Sequence, residues 1–171
     1  HLWFLRAIPS RMSLLLDVPV SSLEKVVYFA GYIITEVYET ERQKVLKELE
    51  NEFKIRMKVL EKDEEKDAMQ ELFSNTKKEI NEIIPNKVLT EAEYHRFSVR
   101  YSTVFEAGIG AEAVYSIFKN LDLKKLESEL EKIIEKKSET VAREKIEKRL
   151  QLVRSFIVSN QRPEWMFLKA I

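Results

Sequence analysis

Residues 45–84 read VLKELENEFKIRMKVLEKDEEKDAMQELFSNTKKEINEII. Leu46, Leu49, Phe53, Met57 and Leu60 recur at steps of three and four with charges between them, the signature of an amphipathic helix. Residues 62–67 are all charged and interrupt the stripe. It resumes at Met69, Leu72, Phe73, Ile80, Ile83 and Ile84, and Pro85-Asn86 stops it. The spacing predicts two antiparallel helices of about 20 residues, each roughly 30 Å long. Between residues 41 and 82 there are 12 acidic and 10 basic side chains. Such balance suits a solvated hairpin, because nearby acids cancel most attraction to phosphate. The apolar stripes are narrow, enough for the helices to bury each other and little more. Replacing residues 41–84 by a short linker should therefore leave the remainder folded, since loop closure costs little.

The flanking sequence continues the helical pattern. Pro9-Ser10 opens a short helix with Ser10 as cap. Ser21 and Glu24 form a capping box for a helix running to about Tyr28. Residues 29–37, with Tyr32, Ile33, Ile34 and Val37, have β-formers at the wrong spacing for a helix and predict a short strand. Thr90 and Glu93 form another capping box, opening a helix with Tyr94 and Phe97. Residues 105–110 read as an irregular link, and residues 111–119 as a helix. Asp122 caps a helix with the stripe Leu123, Leu126, Leu130, Ile133 and Ile134. A last long helix turns Val141, Ile146, Leu150, Val153, Phe156 and Ile157 inward and ends at Arg162-Pro163, with extended chain beyond. The fold class is mainly α with a few short β-strands, which pair with segments elsewhere. Three segments follow: 1–37, the hairpin 38–87, and 88–171.

Composition removes several function classes. The 171 residues carry 29 Lys+Arg against 29 Asp+Glu, so no global field draws the chain to nucleic acid or membrane. There is no cysteine, which removes disulfides, thiolate catalysis and Cys-based zinc sites. Three glycines and four prolines are too few for an all-β domain or a phosphate loop. No run approaches the roughly 20 apolar residues of a membrane span. A soluble, cytoplasmic setting is expected. The chain opens without Met on Leu2-Trp3-Phe4-Leu5 and closes on an apolar segment containing Trp165, which reads as a piece of something larger.

Candidate chemistry is sparse. His1 and His95 are the only histidines, too few for zinc without carboxylates. Glu64-Glu65 and Glu127/Glu131 read as solvated helix faces. Gly108-Ile109-Gly110 lacks the third glycine of a dinucleotide loop and reads as a tight link before a helix. No catalytic residues, cofactor or metal site emerge. The basic residues Arg143, Lys145, Lys148, Arg149 and Arg154 cluster on the last helix. Lys145, Lys148 and Arg149 share one face, a solvated stripe or a phosphate-contact surface.

Four stretches give a more specific reading: HLWFLRAIPSRMSLLLD with LEKVVYF (residues 1–17 and 23–29), LTEAEY (89–94), FEAGIGAEAVYSIFKNLDL (105–123) and RLQLVRSFIVSNQRPEWMFL (149–168). In this order and spacing they resemble part of the clamp of the beta-prime subunit of bacterial DNA-directed RNA polymerase. They cover about half the chain. Residues 38–87 have no counterpart in the common form and look like a lineage-specific insertion. Val141 and Ala142 stand where the family often carries further cations.

The resemblance implies a nucleotidyltransferase fragment without its catalytic aspartates, lying between a zinc-binding element and the helices that dock sigma factor. It implies downstream DNA, the beta, alpha and omega subunits and sigma factor as partners, with magnesium and zinc bound elsewhere in the subunit. Carried over by matching positions, the DNA-facing residues are Arg6, Thr140, Arg143, Lys148 and Arg149. Trp3 and Trp165 are expected to pack against the rest of the clamp. The different reading of the same residues is a free-standing helical interaction module with the hairpin as its binding surface.

Overall fold

The computed structural model describes residues 2–6, 10–136 and 141–167, apart from the side chains of Leu2, Trp3 and Val141. The elements begin α1 (Leu2–Arg6), α2 (Arg11–Leu16), α3 (Val20–Val27), β1 (Tyr32–Val37), α4 (Glu39–Val59) and α5 (Asp63–Asn81). They continue β2 (Val88–Leu89), α6 (Glu91–Tyr101), β3 (Phe105–Gly108), α7 (Ala111–Lys119), α8 (Leu123–Lys136) and α9 (Val141–Val158). The chain is mainly helical with three short strands among the described residues, the fold class that the periodicities predict. Contacts separate it into two units, His1–Gly31 with Ile109–Ile171, and Tyr32–Gly108.

In the first, helical unit, the Ser13 amide donates to Ser10 Oγ at 3.3 Å, the expected cap of α2. The capping box at Ser21 does not form. α3 starts two residues earlier, with Pro19 as its N-cap, and Glu24 turns to Arg6 instead. α3 closes with Phe29 in the left-handed region at φ 61°, and the Ala30 amide returns to Lys25 O at 2.7 Å. That cap occupies residues 28–30, so the strand begins at Tyr32 rather than at Phe29.

Gly110 caps α7 at φ 84° and its amide donates to Val26 O at 2.8 Å. A Cβ there would stand 2.8 Å from the Phe29 ring, so both backbone and space demand glycine. Asp122 caps α8 as expected, accepting from the Lys125 amide at 3.1 Å. α9 buries Leu150, Val153 and Phe156, whereas Ile146 and Ile157 are half-buried. It stops at Val158, before Arg162, because Asn160 takes φ 54° and Gln161 N–H reaches Phe156 O. Pro163–Met166 then forms a 3₁₀ turn where extended chain was expected.

In the second unit the strands pair with one another in the antiparallel order β2-β1-β3. The expected irregular link at residues 105–110 is largely β3, registered from Ile33 opposite Gly108 to Val37 opposite Phe105. α4 and α5 form the hairpin, with Phe53 and Phe73 stacked at 4.3 Å between centroids. The turn is shorter than the sequence suggests. α5 already starts at Asp63, where three acids complement the positive helix N-terminus.

The base of the hairpin is core. Ile80 and Ile83 are buried with Ile34, Leu89, Phe97, Tyr101, Val104 and Phe105, while Val45, Leu46 and Leu49 pack against that cluster. The hairpin therefore does more than bury itself, and removing residues 41–84 would open this core. Arg42, only 7% exposed, completes the base. Its guanidinium donates to the carbonyls of Ile80, Asn81 and Ile83 at the end of α5. Thr90 and Glu93 form both halves of the predicted capping box on α6.

Candidate nucleic-acid interface

Of the residues singled out for phosphate contact, Arg6 lies on α1 and Arg143, Lys148 and Arg149 on α9, with α2 packed against both helices. Arg6 ends α1 and is exposed. Its Nε donates to Glu24 Oε1 at 3.0 Å and its Nη2 to the Tyr28 hydroxyl at 3.1 Å. An exposed ion pair of this kind contributes under about 1 kcal/mol, so exchange of Glu24 for phosphate is inexpensive.

On α9 the cations differ in their surroundings. Arg143 pairs with Glu147 at 3.1 Å, one turn on. Lys145 pairs with Asp17 at 3.0 Å, the left-handed residue that ends α2. Arg154 pairs with Glu131 and Glu127 at 2.6 and 3.5 Å. Lys148 is exposed and has no ion pair among the described residues. Thr140 lies outside the described residues.

Arg149 is half-buried, and its Nε and Nη2 donate to Leu15 O at 3.2 and 2.9 Å. Leu15 belongs to the last turn of α2, whose carbonyls lack intrahelical partners. Burial lowers the Arg149 pKa from its ordinary value, and the nearby Asp17 and Glu129 carboxylates act in the opposite direction. Among the described residues its guanidinium makes no hydrogen bond besides these two.

Sequence reasoning missed the structural use of two arginines. Arg42 holds the end of α5, and Arg162 holds the end of α7 by donating to Phe118, Lys119 and Leu121 carbonyls at 3.2, 3.2 and 2.9 Å. Their only sequence signal is a lone Arg near an apolar stripe. Trp165 is 63% exposed, which leaves its ring free for the packing expected against parts outside this segment, and the Trp3 side chain lies outside the described residues. His95 is exposed and His1 lies outside the described residues. Among the described residues no three His, Cys, Asp or Glu gather as a metal site. No helix among them is long and apolar enough to cross a membrane.

The geometry defines a mainly helical segment whose α9 cations are held by carboxylates or by the end of α2, apart from the exposed Lys148. No family model matches the chain. Along its whole length it is 32% identical over 199 aligned positions to the DNA-directed RNA polymerase subunit beta' of Dehalococcoides mccartyi. It is 33% identical to the subunit of the same name from Thermodesulfovibrio yellowstonii and 33% identical to that of Treponema pallidum. The chain spans 15%, 10% and 9% of those three proteins. Along its whole length the chain thus matches one segment of DNA-directed RNA polymerase beta' subunits.

Proposed function

We propose that the chain serves as part of the clamp of a bacterial RNA polymerase, helping to retain downstream DNA while nucleotides are added at residues outside this segment. The observation that carries this reading is the alignment of beta' subunits with 100% of the chain at 31–33% identity. The chemistry is phosphate neutralisation, which adds affinity without reading sequence. Lys148 and Arg6 are the exposed cations, and Arg149 is the one held against the end of α2. Arg143 and Thr140 complete the set. The segment supplies no catalytic group. The partners are the beta, alpha and omega subunits, sigma factor and DNA in a cytoplasmic enzyme, and magnesium and zinc belong to other parts of the subunit. Residues 38–87 act as an inserted hairpin between clamp segments 1–37 and 88–171, contacting a regulator or neighbouring subunit.

The test uses the parent polymerase carrying Arg6→Ala and Lys148→Ala. Promoter open-complex lifetime should fall at every promoter tested. The slope of log affinity against log salt should flatten by about 2, close to one unit per lost phosphate contact. Lifetimes unchanged across the salt series would return these cations to a solvated face.

A further inference from the structure

α6 carries a pair of cations that the reading above does not use. Arg96 and Arg100 stand one turn apart on it and share a face, about 6 Å apart along the axis. Both converge on one carboxylate of α5. Arg96 Nη2 lies 3.1 Å from Glu79 Oε1, and Arg100 Nη1 lies 4.0 Å from Glu79 Oε2. The hydroxyl of Tyr101, a residue only 5% exposed, donates to Glu79 Oε2 at 3.3 Å. Burial first, and then the Glu79 charge, holds that phenol above its ordinary pKa, with Arg100 acting the other way, so it remains a donor. Arg96 also lies over the Phe97 ring, 5.2 Å from its centroid. Glu79 is thus an anchored post, while both arginine side chains stay more than half exposed.

The charges at this post do not balance. Two guanidiniums share one carboxylate, which leaves one positive charge in excess. The acids one turn from Glu79 and from Arg96 are committed elsewhere. Glu82 pairs with Lys87 at 3.6 Å, and Glu93 accepts from the Thr90 amide at 3.2 Å in the capping box. Val99, 73% exposed, stands on the same face beside the arginines. Two cations flanked by an apolar side chain match the repeating phosphate and sugar of a nucleic-acid strand. Successive phosphates of one strand advance about 3.4 Å along the duplex, so the two arginines reach phosphates one or two steps apart. A carboxylate on an incoming polypeptide would only repeat what Glu79 supplies, whereas phosphodiester oxygens suit both planar forks at once.

We propose that Arg96 and Arg100 form a second phosphate-contact site, which seats the backbone of duplex DNA in exchange for the Glu79 contacts. Arg100, the more loosely held at 4.0 Å, is released first, and Arg96 keeps its place over Phe97. Exposed ion pairs are weak, so the exchange costs little. The contacts are to backbone alone and do not read base sequence. The proposal does not rest on the role assigned to α1 and α9, because every residue in it belongs to the Tyr32–Gly108 unit.

The test measures binding of a fluorescently labelled DNA duplex of mixed sequence to the full 171-residue chain. The chain carries Arg6→Ala and Lys148→Ala throughout, so that contacts of α1 and α9 do not mask the effect. Adding Arg96→Gln with Arg100→Gln should weaken binding about tenfold and flatten the slope of log affinity against log salt by about 2. Glu79→Gln keeps an acceptor for the Tyr101 hydroxyl and removes the competing charge, so it should tighten binding about threefold. A merely structural arginine pair would not gain affinity from that change. Unchanged affinity in the double glutamine variant, unchanged or weaker binding with Glu79→Gln, or displacement of the duplex by poly-glutamate at equal charge concentration would overturn the assignment.

Discussion

The base and the tip of the hairpin share two helices and yet hold together by different means. At the base, Ile80 and Ile83 are sealed in a cluster drawn from strands and helices, and Arg42 caps the last carbonyls of α5. At the tip, Phe53 and Phe73 stack, while Ile55, Val59 and Leu72 remain exposed. The salt bridges there, Lys54 to Glu50 and Arg56 to Glu52, are exposed pairs one turn apart that contribute a few tenths of a kcal/mol each. A continuous periodic pattern thus covers two energetic regimes. Periodicity reports which face is apolar, and only packing decides how much of that face leaves water.

Truncation gives the largest contrast. Replacing residues 51–74 with a short Gly/Ser linker should leave the three-stranded unit folded, because loop-closure entropy grows slowly with length. Replacing residues 41–84 should unfold it by removing Arg42, Ile80 and Ile83 together. Amide exchange at β1 distinguishes the two: protection is retained in the first variant and lost in the second. Equal protection in both would erase the distinction between base and tip.

Arginine substitutions sharpen the comparison. Arg42→Met should destabilise the Tyr32–Gly108 unit by about 3 kcal/mol, since it strands buried carbonyls that a charged donor had satisfied. Arg162→Met performs the same deletion at α7, where the arginine is only half-buried and water can replace it. About 1 kcal/mol is expected there. Urea denaturation followed at each unit measures both, and a reversed order would show that burial does not set the cost. Thr90→Ala, which removes one half of a formed capping box at an exposed site, should cost about 1 kcal/mol or less.

These contrasts explain which features were legible in the sequence. Ser10, Thr90 and Asp122 were read correctly as caps because a cap depends on a side chain and an amide three residues away. Ser21 failed because Pro19 offered a competing start that local spacing does not rank. β3 was hidden because Phe105–Gly108 has no alternation of its own and is made a strand by β1, some 70 residues away. Arg42 and Arg162 were invisible for the same reason, since their carbonyl partners lie about 40 positions away in sequence. The cations of α9 were legible as a stripe. That Lys145 and Arg149 are engaged by the end of α2, leaving Lys148 outward, required the fold.

Lys148 offers the most direct test of the central claim, because its exposed side chain has no competing ion pair among the described residues. A photo-crosslinking amino acid placed at position 148 of the parent polymerase should attach to DNA downstream of the start site in open complexes. The yield should decline as salt rises, following the loss of phosphate contact. Crosslinks to protein alone, at low and high salt alike, would contradict a role for this segment in holding DNA.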